Sequence, residues 1–136
     1  MRRTPEIHQL LTERLYYFTQ EHNIPVAWEG KEEDSVTSEP MYLRETLLMG
    51  DSGTALGKDT PYMGIGIYQV DVLTYLVGYG TAYGIADTIV GLYKKGLALS
   101  MYGCHLKIRV PSIAVAKKEG TRYVLPVSIP FNAYTI

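Results

Sequence analysis

The sequence has a single cysteine, Cys104, in 136 residues. One thiol excludes an intramolecular disulfide and a cysteine-rich zinc module. There is no excess of charge: 13 Lys and Arg stand against 14 Asp and Glu, a net charge of −1. A dedicated nucleic-acid binder would carry a basic surplus, so composition disfavours that class. No apolar run reaches the ~18 residues of a membrane helix. Behind Arg2 and Arg3 there is no apolar stretch of the kind a secretory signal needs. The expectation is a protein made in a reducing cytoplasm. Phenylalanine and tryptophan are scarce, two and one, whereas tyrosine occurs twelve times. That tilt suits surfaces that are half apolar and half wet, as interfaces are. The length suits one domain over 1–136, large enough to bury a core without staples.

Thr4-Pro5-Glu6 reads as a helix start: Thr4 caps, Pro5 fits the first helical position and Glu6 complements the dipole. Ile7, Leu10, Leu11, Leu15 and Phe18 follow at helical spacing. Pro25 ends the helix by disfavouring it in the residue before. Val26–Trp28 is a short strand, and the acidic stretch from Glu29 to Pro40 a solvated loop. In the strand Met41–Leu48, Leu43 and Leu47 share one face, Arg44 and Thr46 the other. Met49 to Met63 has Gly50, Gly53, Gly57 and Pro61 but no pattern, and a connection that long is usually functional or disordered. In the strand Gly64–Tyr75, Tyr68, Val70 and Val72 share one face, opposite Ile67, Gln69, Asp71 and Leu73. Gln69 and Asp71 imply that their face meets water or a partner.

A second helix, Thr81–Lys95, turns Ala82, Ile85, Ala86, Ile89, Leu92 and Tyr93 inward and stops at Gly96. Gly84 and Gly91, seven apart, are expected to let its backbone approach a sheet. His105–Val110 is the next strand, and Ile113–Ala116 with Arg122–Phe131 form a final hairpin around Lys117–Gly120. The order α-β-β-β-α-β-β-β gives an α+β domain, a mostly antiparallel sheet with two packed helices. Pro126 and Pro130 aim their missing N–H groups to one side. That side of the last strand is expected to be an edge, or covered by loops or another subunit.

Few residues suggest catalysis. Gly78-Tyr79-Gly80-Thr81-Ala82-Tyr83-Gly84 stands between a strand and a helix, but its spacing is one residue longer than the dinucleotide fingerprint. No acid follows to hold a ribose, so the segment reads as a turn feeding a helix. His8, His22 and His105 lack zinc-ligand spacing, and Cys104 and His105 point to opposite sides of a strand. Cys104 reads as a small buried thiol. Glu32-Glu33-Asp34 lacks the ligand pattern of a calcium loop. Lys107, Arg109, Lys117 and Lys118 read as a solvated face. No cofactor, metal or catalytic residue is expected.

Several segments resemble, in order, the phage tail terminator (tail completion) family of lambda-like phages. They are the N-terminal helix, Pro25-Val26-Ala27-Trp28-Glu29, Tyr42-Leu43-Arg44, Leu47-Leu48, Leu56-Gly57, Gly66-Ile67-Tyr68-Gln69-Val70-Asp71-Val72, Ala86-Asp87, Pro111-Ser112 and Arg122 to Ile129. The acidic loop from Glu29 to Pro40 departs from the family pattern. The resemblance implies a non-enzymatic α+β virion protein that forms a ring, typically a hexamer, on the head-proximal end of the tail tube. Such a ring stops tube polymerisation and offers a surface to neck proteins. Its partners would be further copies of itself, the tail tube protein and a neck or head-completion protein, in the virion and earlier in the host cytoplasm.

A globule of this length has a radius of gyration of about 14 Å, so six in a ring leave a hole that passes a DNA duplex. A near-neutral chain suits a conduit that DNA crosses without specific binding. Subunit or tail-tube contacts are expected at Tyr42, Arg44, Tyr62, Tyr68, Gln69 and Asp71, with the acidic Glu32, Glu33 and Asp34 toward the lumen. Replacing Arg44 by Glu is then expected to weaken assembly and leave the monomer folded. The rival readings are another neck or head–tail connector, and a small cytoplasmic nucleotide- or ligand-binding enzyme domain built on the Gly78–Gly84 turn.

Overall fold

Helix α1 (Thr4–His22) opens a computed structural model that describes residues 4–30, 39–50, 63–75, 79–101 and 103–135. The expected stripe is its inner face: Ile7, Leu10, Leu11 and Leu15 are buried, while Phe18 is half-buried and Thr19 takes the next inward place. Asn23 ends the helix in the left-handed region, φ 54°. Ile24 N–H then donates back to Thr19 C=O at 2.9 Å, a Schellman-type closure, and Pro25 prevents continuation.

The sheet has eight strands among the described residues. Strand β1 (Val26–Ala27) pairs in parallel with β2 (Met41–Gly50). Antiparallel pairings then carry β2 to β3 (Met63–Thr74), and the order along the sheet continues to β8, β5 and β4. These three span Arg122–Thr135, Cys104–Ile108 and Ala98–Met101, and β6 (Ser112–Ile113) and β7 (Lys117–Glu119) lie along the first half of β8. Helix α2 (Tyr79–Leu92) joins β3 to β4. This is the expected α+β order, with β4 and β7 added as short strands in segments that read as turns.

Both helices cover one face. Ile7, Leu11 and Leu15 of α1 and Ala82, Ala86 and Ile89 of α2 pack on Leu43, Tyr68, Val70, Val72, Val127, Ile129 and Phe131. Alternation along each strand sends the intervening residues to the outer face. A smaller apolar cluster, Ala27, Tyr42, Leu73 and Val124, lies at one end of that outer face.

The edge expected at the last strand is corrected. Strand β8 is interior: β3 runs along one side, and β5, β6 and β7 share the other. The prolines mark gaps in that second side. Pro130 C=O accepts from Arg109 N–H and Pro126 C=O from Ala114 N–H, each at 2.8 Å, and both donors lie between strands. A residue's N–H and C=O face the same neighbour, so each missing donor falls where the ladder is interrupted.

Two glycine expectations also change. Gly84 and Gly91 lie on the exposed flank of α2, with nothing within 4 Å of an added Cβ, so neither serves a close approach to the sheet. The close approach is at Gly66, where a Cβ would stand 2.5 Å from Phe131 Cζ and 2.9 Å from Leu48 C=O. Gly96 is more than a helix stop. At φ +85° its N–H meets Ile108 C=O while Ile108 N–H meets Leu97 C=O, both at 2.8 Å, which is a glycine bulge leading into β4.

Candidate assembly surface

The outer sheet face carries the mixed chemistry that the alternation of β3 implies. Arg44 of β2 and Asp71 of β3 are cross-strand partners. Arg44 holds Asp71 Oδ2 from Nε at 3.3 Å and Nη2 at 3.1 Å, and reaches Glu119 of β7 at 3.2 Å. Gln69 Nε2 donates to the other Asp71 oxygen at 2.9 Å. Partial burial works against the Arg44 charge, but hydrogen bonds and attraction from Glu119 and Asp71 outweigh it and raise its pKa. The bond to Arg44 lowers the Glu119 pKa in turn. This network links β7 to β2 and β3 across the outer face.

Arg122 closes one end of the face. Its guanidinium stands 4.9 Å from the Tyr42 ring centre and 4.4 Å from that of Tyr75, and donates to Pro40 C=O at 3.2 Å. A cation over aromatic faces in a water-poor site is attracted by both ring quadrupoles. The opposite end is apolar and open. Leu48 and Ile67 are cross-strand partners there, and both are exposed beside the exposed Ile65 and Arg109.

The expected contact residues therefore divide. Arg44 and Gln69 present part of their side chains on the outer face, and Asp71 lies beneath them, nearly covered. Tyr42 is buried against Arg122. Tyr68 is fully buried on the helix side, so it has no surface to offer. Tyr62, Glu32, Glu33 and Asp34 lie outside the described residues. The exposed tyrosines include Tyr16 and Tyr17 on α1, Tyr83 on α2 and Tyr134 on β8.

Sequence reasoning passed over Glu45, which the structure makes the joint between α1 and the sheet. Its side chain is fully buried, and Oε2 accepts from Tyr68 hydroxyl and from Thr12 at 2.9 Å. Oε1 accepts from Glu29 N–H at 3.0 Å and lies 3.2 Å from His8 Nε2. Donors crowd both oxygens, which makes this carboxylate an anchor rather than a free general base. The signal was present: Glu45 stands between Leu43 and Leu47 on an otherwise apolar face. Elsewhere, Cys104 is buried and His105 faces the other way, bonded to Ser100 at 2.8 Å and stacked on Tyr134. Gly80, expected in the turn before the second helix, lies within α2, as Gly84 does. Among the described residues no cluster of three or more His, Cys, Asp and Glu is placed to hold a metal ion.

A family model for phage tail terminator proteins matches residues 6–131. The chain belongs to the phage tail terminator family. A tail terminator is a structural component of the virion. One solved chain, 20% identical, shares the fold with a TM-score of 0.76 over 98% of this protein and 96% of its own length. A chain from the virion of a native gene transfer agent particle shares it at 13% identity and TM-score 0.60, over 94% and 92%. No curated protein matches the sequence.

Proposed function

We propose that this tail terminator assembles as a ring, six copies in the simplest case, on the head-proximal end of the tail tube. There it stops tube polymerisation, offers a surface for head–tail joining and lets DNA pass. The observation that carries this reading is the family match over nearly the whole chain. Two physical features support it. The exposed apolar end of the outer face, Leu48, Ile65 and Ile67, suits contact with another protein. The net charge of −1 suits a passage that does not hold phosphates.

Arg44 and Gln69 form the polar border of that contact area, toward a neighbouring copy or the tube protein. Glu32, Glu33 and Asp34 border the lumen, and their reversal to Lys slows DNA ejection; unchanged ejection kinetics would remove that role. The central test adds purified protein to polymerising tube protein and measures tube lengths by electron microscopy. Shortened tubes carrying a ring at one end are expected. Binding to filled capsids without any binding to tubes would assign the protein to the neck instead.

A further inference from the structure

We infer that copies in the ring join through their sheets, β4 of one copy adding to the open edge of β2 in the next. This rests on the ring reading above and specifies its contact.

Among the described residues, strand β2 pairs along its length with β3, and on its other side only β1 pairs with it, at Leu43 and Arg44. Alternate residues of a strand turn their main-chain groups to alternate neighbours. Leu43 N–H donates to Pro25 C=O on the β1 side, so Leu47 and Met49, in the same phase, face the open side. There Leu47 N–H is met by a side chain, Glu29 Oε2 at 3.1 Å. A carboxylate stands where the carbonyl of a neighbouring strand would stand, a device that blunts an open edge.

The other end of the sheet offers the counterpart. Ile108 N–H donates to Leu97 C=O, which sets the phase of β4. Leu97, Leu99 and Met101 turn their groups to β5, and Ala98 and Ser100 turn theirs outward. Both outward residues are small and exposed.

Strand direction and side-chain phase both fit this joint. Direction alternates through β2, β3, β8, β5 and β4, so β2 and β4 run the same way. Head-to-tail repetition preserves direction and makes the new pair parallel. In a parallel pair, a residue facing its partner bonds to the two residues flanking its opposite number. With Leu47 opposite Leu99, Ala98 C=O displaces Glu29 Oε2 as the acceptor of Leu47 N–H, and Ser100 N–H donates to Leu47 C=O. Leu47 and Leu99 both pack on the helix side, so the helices of successive copies stay on one side of the joined sheet. An antiparallel joint would pair Leu47 with Ala98 or Ser100, whose side chains lie on the outer face, and would throw the helices to opposite sides. Grooves flank both edges, one of 480 Å³ including Leu10, Phe18 and Leu99 and one of 430 Å³ including Pro5, Leu47 and Met49. The joint brings these two grooves together. It is a heterologous contact, the kind that builds rings.

The test places thiols at Leu48 and Ser100, exposed outer-face positions that stand opposite one another in this register. The doubly substituted protein, Leu48→Cys with Ser100→Cys, is expected to give a ladder of disulfide-linked multimers on oxidation. A mixture of the two single variants gives dimers, and each single variant alone gives none. Ser100→Pro removes one outward main-chain donor and the exposed Ser100–His105 side-chain bond; against Ser100→Ala, which loses only the latter, it is expected to keep the thermal midpoint and weaken ring formation at least tenfold. Rings seen by native mass spectrometry without the 48–100 disulfide overturn the joint and leave the ring reading standing. Dimers from Ser100→Cys alone overturn it in favour of a symmetric contact. A chain that stays monomeric beside tail tubes overturns both readings.

Discussion

Arg44 and Asp71 face one another across β2 and β3, and the guanidinium grips one Asp71 oxygen from two nitrogens at 3.1 and 3.3 Å. The Asp71 side chain is 6% exposed and that of Arg44 25%, so the pair is shielded on the acid's side and wetter on the base's. The pair acts within the protomer, tying β2 to β3.

Replacing Arg44 by Glu is therefore expected to disturb the monomer itself, besides the contact proposed for Arg44 in assembly. It sets a second carboxylate against a covered one and releases the β7 hairpin. The sequence leads one to expect that such a monomer stays folded; this geometry predicts that it is less stable. Arg44→Ala is expected to cost about 2–3 kcal/mol of monomer stability, because it strands a covered charge. Urea unfolding of Arg44→Ala, Asp71→Ala and the double variant checks it. The double variant should lose less than the sum of the single losses.

Gly84 and Gly91 carry the opposite prediction. Both sit on the exposed flank of α2 with free space around an added Cβ and without a positive φ. Ala at either place is expected to stabilise the monomer by about 0.5–1 kcal/mol, because glycine loses more backbone entropy on entering a helix. A thermal midpoint that falls for Gly84→Ala in the monomer would show that the flank is not free.

At Gly66 the sign reverses. Phe131 fills the space over this residue, and an added methyl would overlap its ring and the Leu48 carbonyl. Gly66→Ala is expected to cost about 2 kcal/mol by overpacking. Combining it with Phe131→Leu should recover part of the loss, since neighbours that share one space do not act additively. Strictly additive losses in urea melts would sink this account.

Periodicity exposed the helices, the order of the main elements along the chain and the two faces of β3, because apolar spacing is a local property that burial enforces. It gave less where non-local partners decide. Pro126 and Pro130 announced a break in pairing. Whether that break lay at an edge or between β5, β6 and β7 depended on segments far along the chain. Glycine spacing in α2 suggested close approach because spacing alone does not say which flank of a helix is inward. Glu45 was legible by its place between Leu43 and Leu47. Its partners, Thr12 and Tyr68, come from two other elements. Tyr68 is the sharpest case: its strand phase put it on the apolar face with Val70 and Val72, yet its hydroxyl suggested a wet interface. The buried Glu45 answers that hydroxyl inside the protomer.

Tyr68 and Tyr93 give the protein an alkaline limit. Their rings lie 5.7 Å apart in the core; one hydroxyl donates to Glu45 and the other to Leu11 C=O. Burial raises both phenol pKa values above the usual 10.0, and the negative charge of Glu45 adds to this in each. A raised phenol pKa means that the folded state holds its proton where the unfolded chain releases it. The tyrosine contribution is therefore complete below pH 10 and is lost as pH rises beyond it. Above that point, unfolding free energy should fall by about 1.4 kcal/mol per pH unit for each of the two phenols. Tyrosinate absorbance and loss of ellipticity should then rise together for this pair. Tyr93→Phe should halve the slope, while lowering stability at neutral pH by about 1 kcal/mol for the lost hydrogen bond. Full ionisation of all twelve tyrosines near pH 10 with the fold intact would show that these phenols are not sealed in the core.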